Sequence, residues 1–122
     1  MKKKDLMFVA LLVIIGTLAY VIAFGNPLNK APSGKYSSFA QCLTDNGAVM
    51  YGTDWCPHCK NQKAMFGDAF ANINYVNCDN DKKACEDAGV QGYPTWHIKG
   101  QVLVGTQPLD VLASTAGCEL PN

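Results

Sequence analysis

The chain has 122 residues, room for one domain and a short appendage, and its formal charge is zero, with ten Lys and no Arg against ten acidic residues. That even balance gives nucleic-acid binding no support, since phosphate recognition needs a basic surface. Six cysteines in so short a chain point to an oxidising compartment.

Lys2, Lys3 and Lys4 precede an apolar stretch, residues 6–24, in which only Gly16, Thr17 and Tyr20 are mild exceptions. Such a run spans a bilayer as a helix, in contact with membrane lipid. The positive-inside rule keeps the three Lys cytoplasmic and puts everything after Phe24 on the outer, periplasmic side. The competing reading is a signal peptide cleaved near the small residue Ala23, giving a secreted protein. The run exceeds the usual ~7–15-residue signal core, so an anchor over residues 1–24 is the expectation. Residues 25–35 have the Gly, Pro and polar content of a linker, and residues 36–122 are expected to form the domain.

Within that domain Ser37 or Ser38 can cap a helix through Phe39, Cys42 and Leu43, which Asn46-Gly47 ends. Residues 48–52 read as a short buried strand, and Thr53-Asp54-Trp55 turns into a helix that begins at the cysteines. Along it Cys59, Phe66 and Phe70 share nearly one face, and Gly67 is a candidate kink. Residues 73–77 alternate as a second strand. Asp79 or Asn80 can cap a helix over 81–88 that Gly89 stops. Residues 95–98 and 101–104 flank Lys99-Gly100 as a hairpin, and Pro108 opens a last helix closed at Gly117. The simplest packing is α/β: two parallel strands joined by a crossover, an antiparallel hairpin added to make a mixed four-stranded sheet, and flanking helices. Phe66, Phe70 and Trp96 read as core. His97 reads as structural or exposed, and Lys60, Lys63, Lys82 and Lys83 as solvated helix faces.

Trp55-Cys56-Pro57-His58-Cys59 carries the chemistry. A Cys-x-x-C pair is a redox or a metal-ligand spacing, and its place after a strand favours redox. Pro57 suits the first turn of a helix, where its missing N–H costs nothing. Cys56 then stands at the helix N-terminus, where free N–H groups and the helix dipole lower its pKa, and a protonated His58 would add to this. Cys56 is the expected nucleophile and Cys59 the resolving thiol, with Pro57 and His58 tuning the pair. A stabilised Cys56 thiolate stabilises the reduced form, which leans the pair towards disulfide donation.

These residues, together with Gly92-Tyr93-Pro94-Thr95 before the hairpin, resemble the thioredoxin superfamily. Residues 50–63 and 89–96 are similar to the thioredoxin-like domain found with bacterial vitamin K epoxide reductase homologues. The resemblance covers roughly residues 39–117. It implies exchange of disulfides with exported cysteine-containing proteins and reoxidation by a quinone-reducing membrane partner of the vitamin K epoxide reductase kind. The four-helix quinone-reducing portion often fused to this domain is not found in these residues, so that partner is expected to act in trans. Met50 stands where many reducing thioredoxins carry a buried Asp, which makes the chain look less like a reductase. The resemblance also implies a cis Tyr93–Pro94 bond against the cysteine pair, with Tyr93 main-chain groups turned to a substrate strand. Trp55 and Tyr93 are expected to frame the substrate surface.

Six cysteines allow fifteen pairings. With Cys56 and Cys59 taken as the exchanging pair, structural disulfides Cys78–Cys85 and Cys42–Cys118 are expected; a second redox relay is the alternative. Zinc on Cys56, Cys59 and two more thiols is the competing chemistry. The Cys78 to Cys85 spacing and an oxidising compartment work against it, so no metal or organic cofactor is expected. The reading is a membrane-anchored extracytoplasmic thiol–disulfide oxidoreductase. Its alternatives are a reductase or isomerase kept reduced by a membrane electron carrier, and a non-catalytic binding or metal-carrying module.

Overall fold

A computed structural model of the protein describes residues 2–24 and 34–122. The chain divides into two compact units, Met1–Ala31 and Pro32–Asn122. The linker expected at 25–35 lies outside the described residues except for Gly34 and Lys35. In the first unit the described residues form one helix, α1 (Lys3–Phe24), which rises about 33 Å over its 22 residues. Its window Lys3–Ala23 has a mean hydropathy of 2.7, so it is long and apolar enough to cross a membrane.

In the second unit α2 (Ser37–Asp45) precedes β1 (Val49–Gly52), α3 (Pro57–Phe66), a 3-10 turn (Gly67–Asn72) and β2 (Tyr75–Asn77). Then come α4 (Lys82–Asp87), β3 (Thr95–Ile98), β4 (Gln101–Val104) and α5 (Leu109–Ala116). The sheet order is β2-β1-β3-β4. β1 and β2 run parallel, with Met50 opposite Tyr75, while β1–β3 and β3–β4 are antiparallel. The two-residue turn Lys99-Gly100 has φ of 48° and 78°, the doubly left-handed geometry that suits the twist of a tight hairpin.

Period-two alternation sorts the sheet into two faces. Met50 and Trp96 lie opposite each other on the face that meets the helices. There Phe39 of α2 stacks on Phe66 of α3 at 5.9 Å, and Phe66 lies 6.2 Å from Trp96. Leu43, Met50, Ile98 and Leu112 complete this core without exposed surface. Each such side chain contributes roughly 1.5–3 kcal/mol of transfer free energy. On the other face Val49, His97 and Val102 are in register, and Val102 is exposed.

Several element boundaries differ from the sequence reading. Tyr36, not a serine, stands at the N-cap of α2, with no side-chain cap. Ser37 is instead engaged by Asn72, whose Nδ2 donates to its carbonyl and Oγ at 3.3 and 3.2 Å. Gly67 does not kink α3 but ends it: φ +57° with ψ −137° is a conformation that side chains resist, and the chain tightens into the 3-10 turn. That turn leaves Phe70 only partly buried, against Phe66 and Tyr75. Asp81, not Asp79 or Asn80, caps α4, its Oδ1 accepting from the Ala84 N–H at 3.1 Å. Pro108 is the N-cap of α5 and not its first residue.

Two disulfides cross this unit. Cys42 of α2 is bonded to Cys118, just beyond α5, and Cys78, just beyond β2, to Cys85 of α4. Cys56 and Cys59 are free. With four thiols paired, a four-thiolate zinc site has no ligands left to complete it.

Candidate active site

Strand β1 ends at Gly52 in the middle of the sheet, and Thr53-Asp54-Trp55 carries the chain to Cys56, the N-cap of α3, with Pro57 at the first helical position. Cys56 keeps 6% of its surface and Cys59, one turn on, keeps none, so only Cys56 can meet a substrate sulfur directly. Burial pushes the Cys56 thiol up, but the main-chain N–H of Cys59, the Cys59 side chain and the main-chain N–H of His58 outweigh it and hold the value below the ordinary one. The structure therefore gives His58 a main-chain part in this, while its imidazole is exposed. Cys59 goes the other way. Burial pushes it up to about 11, the Cys56 sulfur adds to the rise, and the Thr53 main chain and Lys63 work against it.

The peptide bond Tyr93–Pro94 is cis and Pro94 is fully buried. The Tyr93 carbonyl lies 3.8 Å from Cys56 Sγ. Trp55 is 63% exposed and meets the Tyr93 ring edge-on at 6.3 Å, and its indole N–H donates to Asp79 at 2.9 Å. Cys56, Trp55 and Tyr93 thus form one surface around the accessible sulfur. Met50 is buried in the core, and His97 is half-buried with its Nε2 unpartnered, edge-on to Tyr51 at 5.0 Å.

A family profile for thioredoxin matches residues 33–115. The chain belongs to the thioredoxin family. Its mixed four-stranded sheet with flanking helices is the thioredoxin-like fold. It is 40% identical over 106 residues to thiol-disulfide oxidoreductase LTO1 of Arabidopsis thaliana, which covers 80% of this chain and 28% of that protein. Protein disulfide-isomerase A5 of Bos taurus is 36% identical over 59 residues, 40% of this chain and 11% of that protein. This thioredoxin-family chain therefore spans little more than a quarter of LTO1 and about a tenth of protein disulfide-isomerase A5. Among solved structures, a mutant thioredoxin from Halobacterium salinarum aligns with a TM-score of 0.46 and 21% identity over 64% of this chain and 82% of that one. A glutaredoxin from Archaeoglobus fulgidus gives 0.45 and 19% over 61% and 89%.

Two further groups at the site escape a reading by motif. Gln62 is fully buried, accepting from the Trp96 indole N–H at 3.1 Å and the Gln107 N–H at 2.7 Å and donating to the Gln107 carbonyl at 3.1 Å. Lys63 is not a solvated helix face. Its ammonium pairs with Asp54 at 2.9 Å and sits 3.9 Å from the centre of the Tyr75 ring. Spacing places Gln62 and Lys63 three and four residues after Cys59, on its side of the helix, but their partners come from elsewhere in the chain.

Proposed function

We propose that the chain is an extracytoplasmic, membrane-anchored thiol–disulfide oxidoreductase that donates disulfides to exported proteins through Cys56 and Cys59. In this reading residues 1–24 are the anchor, with Lys2, Lys3 and Lys4 cytoplasmic, 25–35 are the tether and 36–122 carry the chemistry. The reoxidising partner is a quinone-reducing membrane protein of the vitamin K epoxide reductase kind. One observation carries the direction: the accessible thiol is held below its ordinary pKa by main-chain N–H groups at the helix start while its partner is buried and raised. A stabilised Cys56 thiolate favours the reduced pair and makes the oxidised pair a good oxidant. Met50 supports the same direction, since it puts no carboxylate at that buried position of β1.

In the donating step a substrate thiolate attacks Cys56 Sγ, the Cys56–Cys59 bond breaks, and its electron pair leaves on Cys59 Sγ, which takes a proton from solvent. A second substrate thiolate then attacks the first substrate sulfur, forming the substrate disulfide and expelling Cys56 as a thiolate. Two electrons pass from substrate to the cysteine pair. The Trp55 and Tyr93 surface would present the substrate strand to Cys56.

The test is the reduction potential of Cys56–Cys59 in the full chain in detergent, by equilibration with glutathione and mass spectrometry of alkylated peptides. A value between about −120 and −200 mV supports donation. A value near about −270 mV overturns it in favour of a reductase, and a pair that exchanges with nothing leaves a binding module.

A further inference from the structure

We propose that Lys63 is a positioning residue for the buried thiol: its ammonium, fixed by Asp54 and the Tyr75 ring, stabilises negative charge on Cys59 Sγ whenever that sulfur leaves or attacks. This rests on the reading that Cys56 and Cys59 exchange disulfides, and it adds the group that manages charge on the sulfur substrates never touch.

The geometry is a small cage built by three elements. Lys63 lies one turn after Cys59 on the same face of α3. Its side chain is only a quarter exposed, unlike a free surface lysine. Asp54, from the loop before the cysteines, holds the ammonium at 2.9 Å, and the same carboxylate accepts from the Tyr75 hydroxyl at 3.0 Å and from Asn77 Nδ2 at 3.0 Å. The Tyr75 ring, 3.9 Å under the ammonium, reaches the same spot as the thiol. A Cβ placed on Gly52 would lie 2.7 Å from Cys59 Sγ and 3.6 Å from Tyr75 Cε2. Thiol, ring and ammonium are therefore consecutive neighbours behind Cys56.

The charged and titratable groups facing Cys59 are Cys56 at the start of its own helix, Lys63 one turn on, and Tyr75 from β2, with Asp54 and Asp79 facing Tyr75 in turn. Lys63 is the only cation among them. Burial and the Cys56 sulfur raise the Cys59 thiol, and Lys63 opposes them. Asp54 is itself held below the usual carboxylate range, first by its hydrogen bond from Lys63 and then by that from Tyr75, so it keeps its charge and its grip. The Tyr75 phenol is pushed up by burial and then by Asp54, which keeps it a neutral donor. In the donating step the electron pair of the broken S–S bond comes to rest on Cys59 Sγ, the charge Lys63 faces. In the reverse step the Cys59 proton goes to solvent and the same thiolate attacks Cys56 Sγ, expelling the substrate sulfur with the electron pair. A lower Cys59 pKa speeds the first through a better leaving group and the second through a larger thiolate fraction.

The test uses the full chain in detergent with Cys56→Ser, which leaves Cys59 as the one free thiol, and follows its iodoacetamide alkylation against pH by peptide mass spectrometry. Lys63→Met in that background is expected to move the profile to higher pH and cut the rate at pH 9 about tenfold, as loss of a nearby opposite charge does. Lys63→Arg, which keeps the charge, should restore most of it. Lys63→Gln, which keeps much of the stem over Tyr75, gives the same reading should the Met variant not fold. An unmoved profile in the neutral variants overturns the proposal, as does an equal shift in the Arg variant, which would make the role one of packing. The readout needs no disulfide exchange. Failure of the exchange activity in the parent chain would therefore leave the Lys63 result standing, and failure of the Lys63 shift would leave the exchange activity untouched.

Discussion

Replacing Gly52 by Ala sets a methyl group 2.7 Å from Cys59 Sγ and 3.6 Å from Tyr75 Cε2, and the first of these is closer than a carbon and a sulfur can approach. The strand has nowhere to retreat. β1 is an inner strand, bonded to β2 on one side and β3 on the other, and the Gly52 carbonyl accepts from the Cys78 N–H at 2.8 Å. Cys59 has no exposed surface, so rotating its sulfur pushes it into packed neighbours. Overpacking of this kind costs about 1–3 kcal/mol, which for a domain of this size lowers the melting midpoint by about 5–15 °C. Gly92→Ala is the matched control: its Cβ meets only Val104 Cγ1, at 3.5 Å, an ordinary contact, and it should melt close to the parent. Near-UV circular dichroism of the full chain in detergent reads both, and the alkylation rate of Cys59 reads the displaced sulfur. A Gly52→Ala protein that melts with the parent and labels at the parent's rate would show that the close approach of strand and sulfur is not a constraint.

Gln62→Leu fills the same volume but strands the Trp96 and Gln107 N–H groups, so chemical denaturation should show a loss of about 2–4 kcal/mol. Asp81→Ala removes the cap of α4 and should cost about 0.5–2 kcal/mol in the same assay. Changing Cys42 and Cys118 together to Ala opens a loop with a sequence separation of 76, worth about 4.5 kcal/mol in the loop-entropy account, and a smaller loss would mean a compact denatured state. At pH 7 iodoacetamide should label Cys56 about 100-fold or more faster than Cys59, because the two values part in opposite directions. The same values set the pH dependence of the reduced form. Cys56, lowered on folding, contributes stability that is complete above the ordinary thiol value near 9 and is lost as pH falls through the folded value. Cys59, raised to about 11, contributes its stability below about 9 and loses it as pH climbs to about 11. The stability of the reduced chain, read by denaturation against pH, should therefore decline above about 9, and a rise in stability there would refute the assignment of Cys59 as the raised thiol.

Local rules carried far in this chain where a residue's own conformation decides the outcome. Pro57 at the head of α3 and the Lys99-Gly100 turn are properties of a few neighbouring residues, and they were legible as such. Gly67 was legible as a disturbance but not as a stop, because a glycine permits both and the packing beyond it, here a 3-10 turn, decides which is taken. The caps of α2 and α4 were misplaced by one or two residues for a different reason. Ser37 and Asp79 are good caps in isolation, but each has a distant partner, Asn72 and Trp55, that no local rule can see. Lys63 shows the same limit at the site. A lysine among polar residues on a helix is solvated by default, and only the fold brings Asp54 and Tyr75, 9 and 12 positions away, to its ammonium.

The bond between Cys42 and Cys118 joins the first helix of the second unit to the second residue after its last, so the sheet, both other cysteine pairs and the cis Pro94 lie inside one covalent ring. Tension applied between residues before Cys42 and after Cys118 then runs through a sulfur–sulfur bond and never reaches the hydrogen bonds of the sheet. The active-site geometry is mechanically insulated from pulling at either end of its own unit, whatever drags on the chain outside the ring.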